Sequence, residues 1–369
     1  MDIYEELYHM ARLALAGRRQ DIHMFIRKLA RQLRQSQPDA AAKLNTLLAE
    51  SPTRSSPLRS EEVASVPVDA DSRLQLVRHE HPVVVESEPI WAETVCQRLN
   101  QVLSERQRER DLLREGLTPT KSLLFTGPPG VGKTLSARWL ADKLNRPLLS
   151  LDLSAVMSSY LGRTGANVRH VLDYAKSLDC VFLLDELDAV AKRRDDNADI
   201  GELKRLVTVL LQQIDDWPPT GLLVAATNHP DLLDPAVWRR FDMVIDFPMP
   251  TDEQTRAAVS RLLTPKGVPD RLVEVASLAF KRLSFSDIER EILRVQRESV
   301  IHDEPLEARL RQLLHDLAKS RTASERKELA VALQQKAGLS QREASEWTGV
   351  HRHTIRAATN RTDNGEGGD

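Results

Sequence analysis

The most informative stretch of the chain is the octapeptide Gly127-Pro128-Pro129-Gly130-Val131-Gly132-Lys133-Thr134. A short apolar run, 122–125, precedes it, and residues 135–144 follow with apolar side chains at helical spacing. A glycine-rich turn between a strand and a helix lets backbone amides and the helix N-terminus surround a phosphate group. The octapeptide therefore predicts a phosphate-binding loop for a nucleotide, with contacts running from Gly127 through Leu135.

A second element supplies carboxylates. The apolar run 181–184 ends in Asp185-Glu186, so both acids are expected at the end of a buried strand. We expect Lys133 to reach the β- and γ-phosphates, while Thr134 and Asp185 hold Mg²⁺. Glu186 is then placed to accept a proton from an attacking water molecule. Together the two elements predict that the chain binds a nucleoside triphosphate, ATP, with magnesium and hydrolyses it.

Composition limits the remaining possibilities. A chain of 369 residues predicts two or three domains, and a hydrophobic content of 41% is enough for a large core. The net charge of -2 gives no overall attraction to nucleic acids or anionic membranes. Cys96 and Cys180 are too few for a disulfide framework and lack metal-ligand spacing. The charged N-terminus and the lack of a long apolar span predict a cytoplasmic protein with no membrane segment.

Periodicity and composition change several times along the chain. Residues 2–50 have apolar side chains at helical spacing, residues 51–75 are rich in Ser and Pro, and residues 76–250 alternate strand and helix patterns. Five short apolar runs in the last range predict a parallel sheet with helices on both faces. The predicted order is a helical module at 1–50, a flexible linker at 51–75, an α/β nucleotide-binding core at 76–250, a helical lid at 251–318, a three-helix segment at 322–360 and a disordered tail at 361–369.

Four motifs in the core resemble those of the AAA+ ATPases. They are the phosphate loop, Asp185-Glu186, Thr227-Asn228 and the segment Trp238-Arg239-Arg240-Phe241-Asp242. The resemblance implies a P-loop NTPase core with a helical lid, in which Asn228 helps to orient the attacking water. It also implies that Arg240, or its neighbour Arg239, is an arginine finger that reaches the γ-phosphate of an adjacent subunit. A finger of this kind requires a ring or a stacked homo-oligomer, and a hexameric ring is expected.

Another segment resembles the pore loop of ring-forming relatives in the AAA clade. Tyr160-Leu161-Gly162 follows the predicted second core strand. The flat, amphipathic ring of Tyr160 can grip an extended polypeptide, and Gly162 lets the loop move. The alternative is a surface tyrosine that packs on its own loop. The lid segment 284–287 departs from the family because it lacks a Gly-Ala pair, and no lid arginine can be assigned to the nucleotide.

The C-terminal residues 340–360 resemble a helix-turn-helix. Ala344 and Ser345 allow close helix crossing, Gly349 makes the turn, and a preceding helix near 325–337 completes three helices. The second helix of the motif presents basic side chains, but residues 319–369 hold nine Lys/Arg against seven Asp/Glu. Both a DNA-binding segment and a module that docks on protein therefore remain open.

Three hypotheses follow from the sequence. The first is a ring that remodels or threads a protein client by ATP hydrolysis. The second is a DNA-associated ATPase recruited through residues 340–360. The third is an ATP-dependent assembly switch that regulates a partner enzyme.

Overall fold

The fold is described from a computed structural model. It describes residues 77–153, 164–189 and 200–363, together with the isolated positions 25, 26, 29, 40 and 43. All elements below belong to Val66–Asp369, one of the two units into which the chain divides. The predicted linker (51–75), nearly all of the predicted N-terminal module (1–50) and residues 364–369 of the predicted tail lie outside the described residues.

The core of the described part is a sheet of six strands. The strands are β1 (Arg78–Glu80), β2 (Ser122–Thr126), β3 (Leu148–Asp152), β4 (Val181–Asp185), β5 (Leu222–Thr227) and β6 (Met243–Asp246), in the spatial order β1-β3-β4-β5-β2-β6. Strands β3, β4, β5, β2 and β6 pair in parallel, which confirms the five predicted strands. β1 pairs antiparallel with β3 and was not predicted, because its three residues, Arg78-His79-Glu80, include no apolar side chain.

Helices cover both faces of the sheet. They are α1 (Glu93–Gln107), α2 (Glu109–Arg114), α3 (Lys133–Leu144), α4 (Thr164–Lys176), α5 (Ile200–Asp215) and the short α6 (Pro235–Trp238). Successive strand residues point to opposite faces. On β2, Leu124 therefore packs in a cluster with residues of α4 and α5, whereas Leu123 and Phe125 pack in another with residues of α1 and α3. Every residue of β2 and β5 is buried, as expected for central parallel strands.

Seven further helices follow the sheet. They are α7 (Asp252–Leu263), α8 (Asp270–Ala279), α9 (Phe285–His302), α10 (Leu306–Ser320), α11 (Ala323–Gln335), α12 (Gln341–Thr348) and α13 (Arg352–Asp363). Capping boxes at Thr251, Thr322 and Ser340 begin α7, α11 and α12. One hydrophobic cluster contains Phe280 and Leu310 of the lid region together with Leu333 and Ile355 of the C-terminal helices. The lid region and the three-helix segment therefore share a single core.

None of the helices in residues 77–153, 164–189 and 200–363 is both long enough and apolar enough to span a lipid bilayer.

A buried arginine fixes the starts of the two central strands. Arg106, near the end of α1, is 5% exposed and donates hydrogen bonds to the carbonyl oxygens of Thr120, Pro219, Thr220 and Gly221. Burial lowers the pKa of this guanidinium to about 10, so it remains charged at neutral pH. The loops that lead into β2 and β5 are therefore held by one cation.

Replacement of Arg106 by Leu is expected to lower the free energy of unfolding by about 3 kcal/mol, because buried carbonyl oxygens would lose their donors. The midpoint of urea unfolding measures this change. Arg108→Leu is the matched control, since the Arg108 side chain is 76% exposed. Equal midpoints for the two variants would show that Arg106 does not hold the strand starts.

Candidate active site

The phosphate loop needs its glycines for space and for backbone conformation. It connects β2 to α3. A Cβ atom on Gly127 would lie 2.1 Å from the Phe247 carbonyl oxygen, and one on Gly130 would lie 2.3 Å from Ser284 Oγ. Gly132, which precedes α3, has a φ of +99° and nothing within 4 Å of the position of a Cβ. Neighbouring atoms therefore pack closely against Gly127 and Gly130, whereas the space beside Gly132 is open. This arrangement suits a bound phosphate group.

Lys133 links the loop to the neighbouring strand. Its Nζ donates hydrogen bonds to Gly127 O at 2.7 Å, to Pro128 O at 2.8 Å and to Asn228 Oδ1 at 2.8 Å. Burial lowers the pKa of the Lys133 ammonium, and the negative charge of Asp185 partly opposes this shift. The three oxygens that hold the ammonium are neutral acceptors. A negatively charged phosphate oxygen would therefore bind the ammonium more strongly than any of them.

The predicted metal ligands lie side by side. Thr134 Oγ1 donates to Asp185 Oδ2 at 3.0 Å, and Asp185 Oδ1 accepts from the Glu186 backbone N–H at 2.9 Å. A hydroxyl and a carboxylate beside the loop are the hard oxygen ligands that Mg²⁺ prefers, so the residues present fit this ion. Glu186 has a φ of +55°, a conformation that turns the chain away from β4 immediately after Asp185.

A third acid, which the sequence analysis missed, fixes the position of Asn228. Asp188 is 3% exposed and accepts hydrogen bonds from Thr227 Oγ1 at 3.0 Å and from the Asn228 backbone N–H at 3.2 Å. The Leu187 N–H donates to Ala226 O at 2.9 Å, which holds the same turn against β5. The sequence carries one signal for Asp188, which lies between Leu187 and an alanine. A carboxylate in an apolar segment needs hydrogen-bond partners if it is buried.

The lid region closes one side of the site. Ser284 caps α9 by accepting from the Asp287 N–H at 3.2 Å, and the Ser286 N–H donates to Gly130 O at 3.1 Å. The sequence assigned no lid arginine to the nucleotide. The structure places Arg261 of α7 at the cleft, where its guanidinium donates to Glu88 O at 2.8 Å. No sequence pattern indicated Arg261, because its position at the cleft depends on how the lid region packs.

These groups surround one cleft of about 780 Å³. The cleft is lined by residues 129–135 of the phosphate loop and by Asp185, Glu186 and Asn228. This volume lies within the range of typical ligand sites, about 300–1,000 Å³. Three motifs that are far apart in sequence therefore meet at the carboxyl ends of β2, β4 and β5.

The two candidate finger arginines lie near the amino-terminal end of β2, whereas the cleft lies at the carboxyl ends of the strands. Arg240 forms an ion pair with Asp215, at the end of α5, and the nearby Asp242 carboxylate accepts from the Ser122 N–H, at the start of β2. β2 spans roughly 13 Å between its first and last Cα atoms, at about 3.3 Å per residue. The phosphate loop follows the far end of this strand. The side chain of Arg239 is exposed and makes no hydrogen bond or ion pair within the described residues.

The predicted pore loop, Tyr160-Leu161-Gly162, falls within residues 154–163, outside the described part of the chain. Its position relative to the cleft remains a prediction.

Comparisons with known proteins show which family the nucleotide-binding core resembles. Residues 123–249 match the ATPase family associated with various cellular activities (AAA). The chain is 41% identical over 192 residues to an uncharacterized AAA family ATPase, y4kL, of Sinorhizobium fredii, covering 51% of this chain and 57% of the relative. It is 36% identical over 157 residues to the 26S proteasome regulatory subunit S10B homolog B of Arabidopsis thaliana, covering 41% of this chain and 39% of the relative. The chain thus spans less than two thirds of either relative.

A solved structure has the same fold. The crystal structure of the FIGL-1 AAA domain superposes with a TM-score of 0.52 at 23% identity, covering 68% of this chain and 83% of that domain. The predicted fold class and family are confirmed by these matches. Residues 123–249 therefore form a domain of the AAA ATPase family, as the motifs in the sequence predicted.

Proposed function

We propose that this chain hydrolyses ATP with Mg²⁺ in the cleft between the phosphate loop and the lid, and that a ring of its copies uses the cycle to remodel a protein client. The observation that carries the proposal is the convergence of Lys133, Thr134, Asp185, Glu186 and Asn228 on one cleft. A phosphate loop alone would support binding. The adjoining carboxylates and amide supply what a hydrolase needs in addition.

Each of these residues has a role that its position supports. Lys133 binds the β- and γ-phosphate oxygens, and Thr134 and Asp185 hold the metal. Mg²⁺ supplies charge neutralisation to the phosphate oxygens when it is bound. Glu186 accepts a proton from the attacking water, since its carboxylate lies next to the metal ligand and lines the cleft. Asn228 orients that water, and its side-chain oxygen is already within hydrogen-bond distance of the Lys133 ammonium.

Asp188 acts on this chemistry through Asn228. Its carboxylate holds both the backbone N–H of Asn228 and the hydroxyl of the preceding Thr227. The same acid lies two residues after Glu186, so one buried group sets the separation between the base and the water-orienting amide. Asp188 is a positioning residue because it contacts Thr227 and Asn228 but does not line the cleft.

The arginine finger is supplied by another subunit. Arg239 and Arg240 lie beside the start of β2, whereas the phosphate loop follows its end. An arginine at that edge can contact a γ-phosphate only in an adjacent copy of the chain. The Arg240 guanidinium is held by Asp215 in the single chain, and the exposed Arg239 is unpaired within the described residues. The ring, a hexamer, therefore completes the catalytic site.

A protein client is supported by two observations. One relative with 36% identity is named a 26S proteasome regulatory subunit. The segment Tyr160-Leu161-Gly162 has the aromatic, aliphatic and glycine order suited to gripping an extended polypeptide. Neither observation selects one client sequence, as expected for a grip that depends on a flat ring.

Hydrolysis is tested by Glu186→Gln, which is expected to lower kcat at least a hundredfold while leaving the Kd for ATP within about threefold. The base is lost, but Lys133, Thr134 and Asp185 still bind the substrate.

Lys133→Ala is expected to weaken ATP binding itself, at least tenfold, because the main cation on the phosphates is removed. Phosphate release and calorimetric titration measure the two effects.

Glu115→Gln is the control, since Glu115 is exposed at the end of α2 and is expected to leave both quantities unchanged. Normal turnover by Glu186→Gln would remove this residue from its role as base. Unchanged ATP binding by Lys133→Ala would contradict the assignment of the phosphate loop.

Client remodelling is tested at Tyr160. Unfolded, fluorescein-labelled casein is expected to stimulate ATP hydrolysis by the intact chain and by Tyr160→Phe, which keeps the aromatic ring. Tyr160→Ala is expected to lose this stimulation while its hydrolysis without casein changes less than about twofold, because the loop grips client and takes no part in the chemistry. Full stimulation of Tyr160→Ala would rule out threading and leave a switch that regulates a partner enzyme as the better account.

A further inference from the structure

The last three helices form a compact helix-turn-helix. α12 ends at Thr348, Gly349 makes the turn with a φ of +68°, and α13 begins at Arg352. The Thr348 hydroxyl donates to Ala344 O at 2.7 Å and accepts from the Val350 N–H at 3.3 Å, so the turn is fixed by hydrogen bonds. Ala344 and Ile355 are fully buried between the helices. The opposite side of α13 is consequently a rigid, outward-facing surface.

That surface is basic and free of carboxylates. His351, Arg352, His353 and Arg356 are all exposed, and residues 347–362 contain no Asp or Glu. Arg352 and Arg356 are one helical turn apart and make no ion pair within the described residues. We call the exposed side chains of these four residues the α13 face.

The acids of the two preceding helices are engaged elsewhere. Glu325 and Glu328 both pair with Arg282 of the lid region, at 3.1 Å and 3.8 Å. Glu343 pairs with Arg271 of the lid region at 2.9 Å, and Glu346 pairs with Arg342 on its own helix. The four acids of α11 and α12 are thus paired with arginines, and the other three acids of residues 319–369 follow the α13 face in sequence, at 363, 366 and 369. The α13 face itself carries basic side chains and no carboxylate.

We propose that the α13 face binds duplex DNA in the major groove. A helix fits the major groove, which is about 12 Å wide, and a helix-turn-helix presents the second helix of the motif to base edges. The guanidinium groups of Arg352 and Arg356 suit guanine edges and phosphate oxygens alike. Charge complementarity selects a polyanion, and the rigid, protruding helix selects the groove of a duplex over a single strand.

The DNA-binding helices are fixed to the lid. Besides the shared hydrophobic core, the Arg311 guanidinium lies 5.8 Å from the ring centroid of Trp347 on α12. The lid region also carries Ser286, whose N–H binds the phosphate loop. Bound DNA would thus be held by the same body that closes the nucleotide cleft. This inference goes beyond client remodelling and does not require it.

The test is the fluorescence anisotropy of a labelled 30-base-pair duplex of mixed sequence, titrated with the full chain in the absence of nucleotide. The double variant Arg352→Gln/Arg356→Gln is expected to bind at least tenfold more weakly than the intact chain. Its salt dependence, measured as the slope of log K against log salt concentration, is expected to fall by roughly 2, since each lost phosphate contact removes about 0.9.

The matched control is Arg110→Gln/Arg114→Gln, which removes two exposed arginines at the same spacing on α2 and is expected to leave binding unchanged. Because all four arginines are exposed, thermal melting curves should coincide. Equal binding by the two double variants, or no binding by the intact chain, would overturn the proposal. It would also be overturned if single-stranded DNA or polyglutamate displaced the duplex as well as unlabelled duplex does, because the α13 face would then recognise negative charge alone.

Discussion

The site depends on one ammonium group shared between two strands. Lys133 begins α3, yet its Nζ is held by the carbonyl oxygens of Gly127 and Pro128 on one side and by Asn228 at the end of β5 on the other. Parallel pairing of β2 with β5 brings these groups together, because it places Thr126 beside Thr227. Any shift in the register of this pair would separate the phosphate loop from Asn228, the proposed water-orienting residue. The buried guanidinium at the starts of the same strands protects that register.

Much of the site could be predicted because its chemistry is local in sequence. The phosphate loop, Thr134 and the pair Asp185-Glu186 lie on continuous segments whose strand, turn and helix patterns are visible in one dimension. Asp188 was missed because its role arises only where the turn after β4 meets β5. Arg261 was missed for a similar reason, since it reaches the cleft through the packing of the lid.

The fold shows the same division between local and distant effects. The apolar runs predicted the five parallel strands, whereas β1 has a polar sequence and is held by its pairing with β3. The lid and the three-helix segment were predicted as separate parts, although side chains such as Phe280 and Ile355 belong to one hydrophobic core. Helical periodicity shows which face of a helix is apolar, but it does not show which neighbour covers that face.

We infer that a single chain holds an incomplete catalytic site. The cleft contains Lys133, the proposed metal ligands and the proposed base, while Arg239 and Arg240 lie near the start of β2, a strand length from the phosphate loop. The most direct measurement is the rate of ATP hydrolysis in mixtures of Glu186→Gln with Arg240→Ala, and separately with Arg239→Ala, using variants that assemble together. Each variant alone is expected to be inactive if its residue is essential. Mixing with the true finger variant should restore hydrolysis, since some interfaces then join an intact Glu186 to an intact arginine. If neither mixture recovers activity although the variants co-assemble, the site is not completed by a neighbouring subunit and the account is wrong.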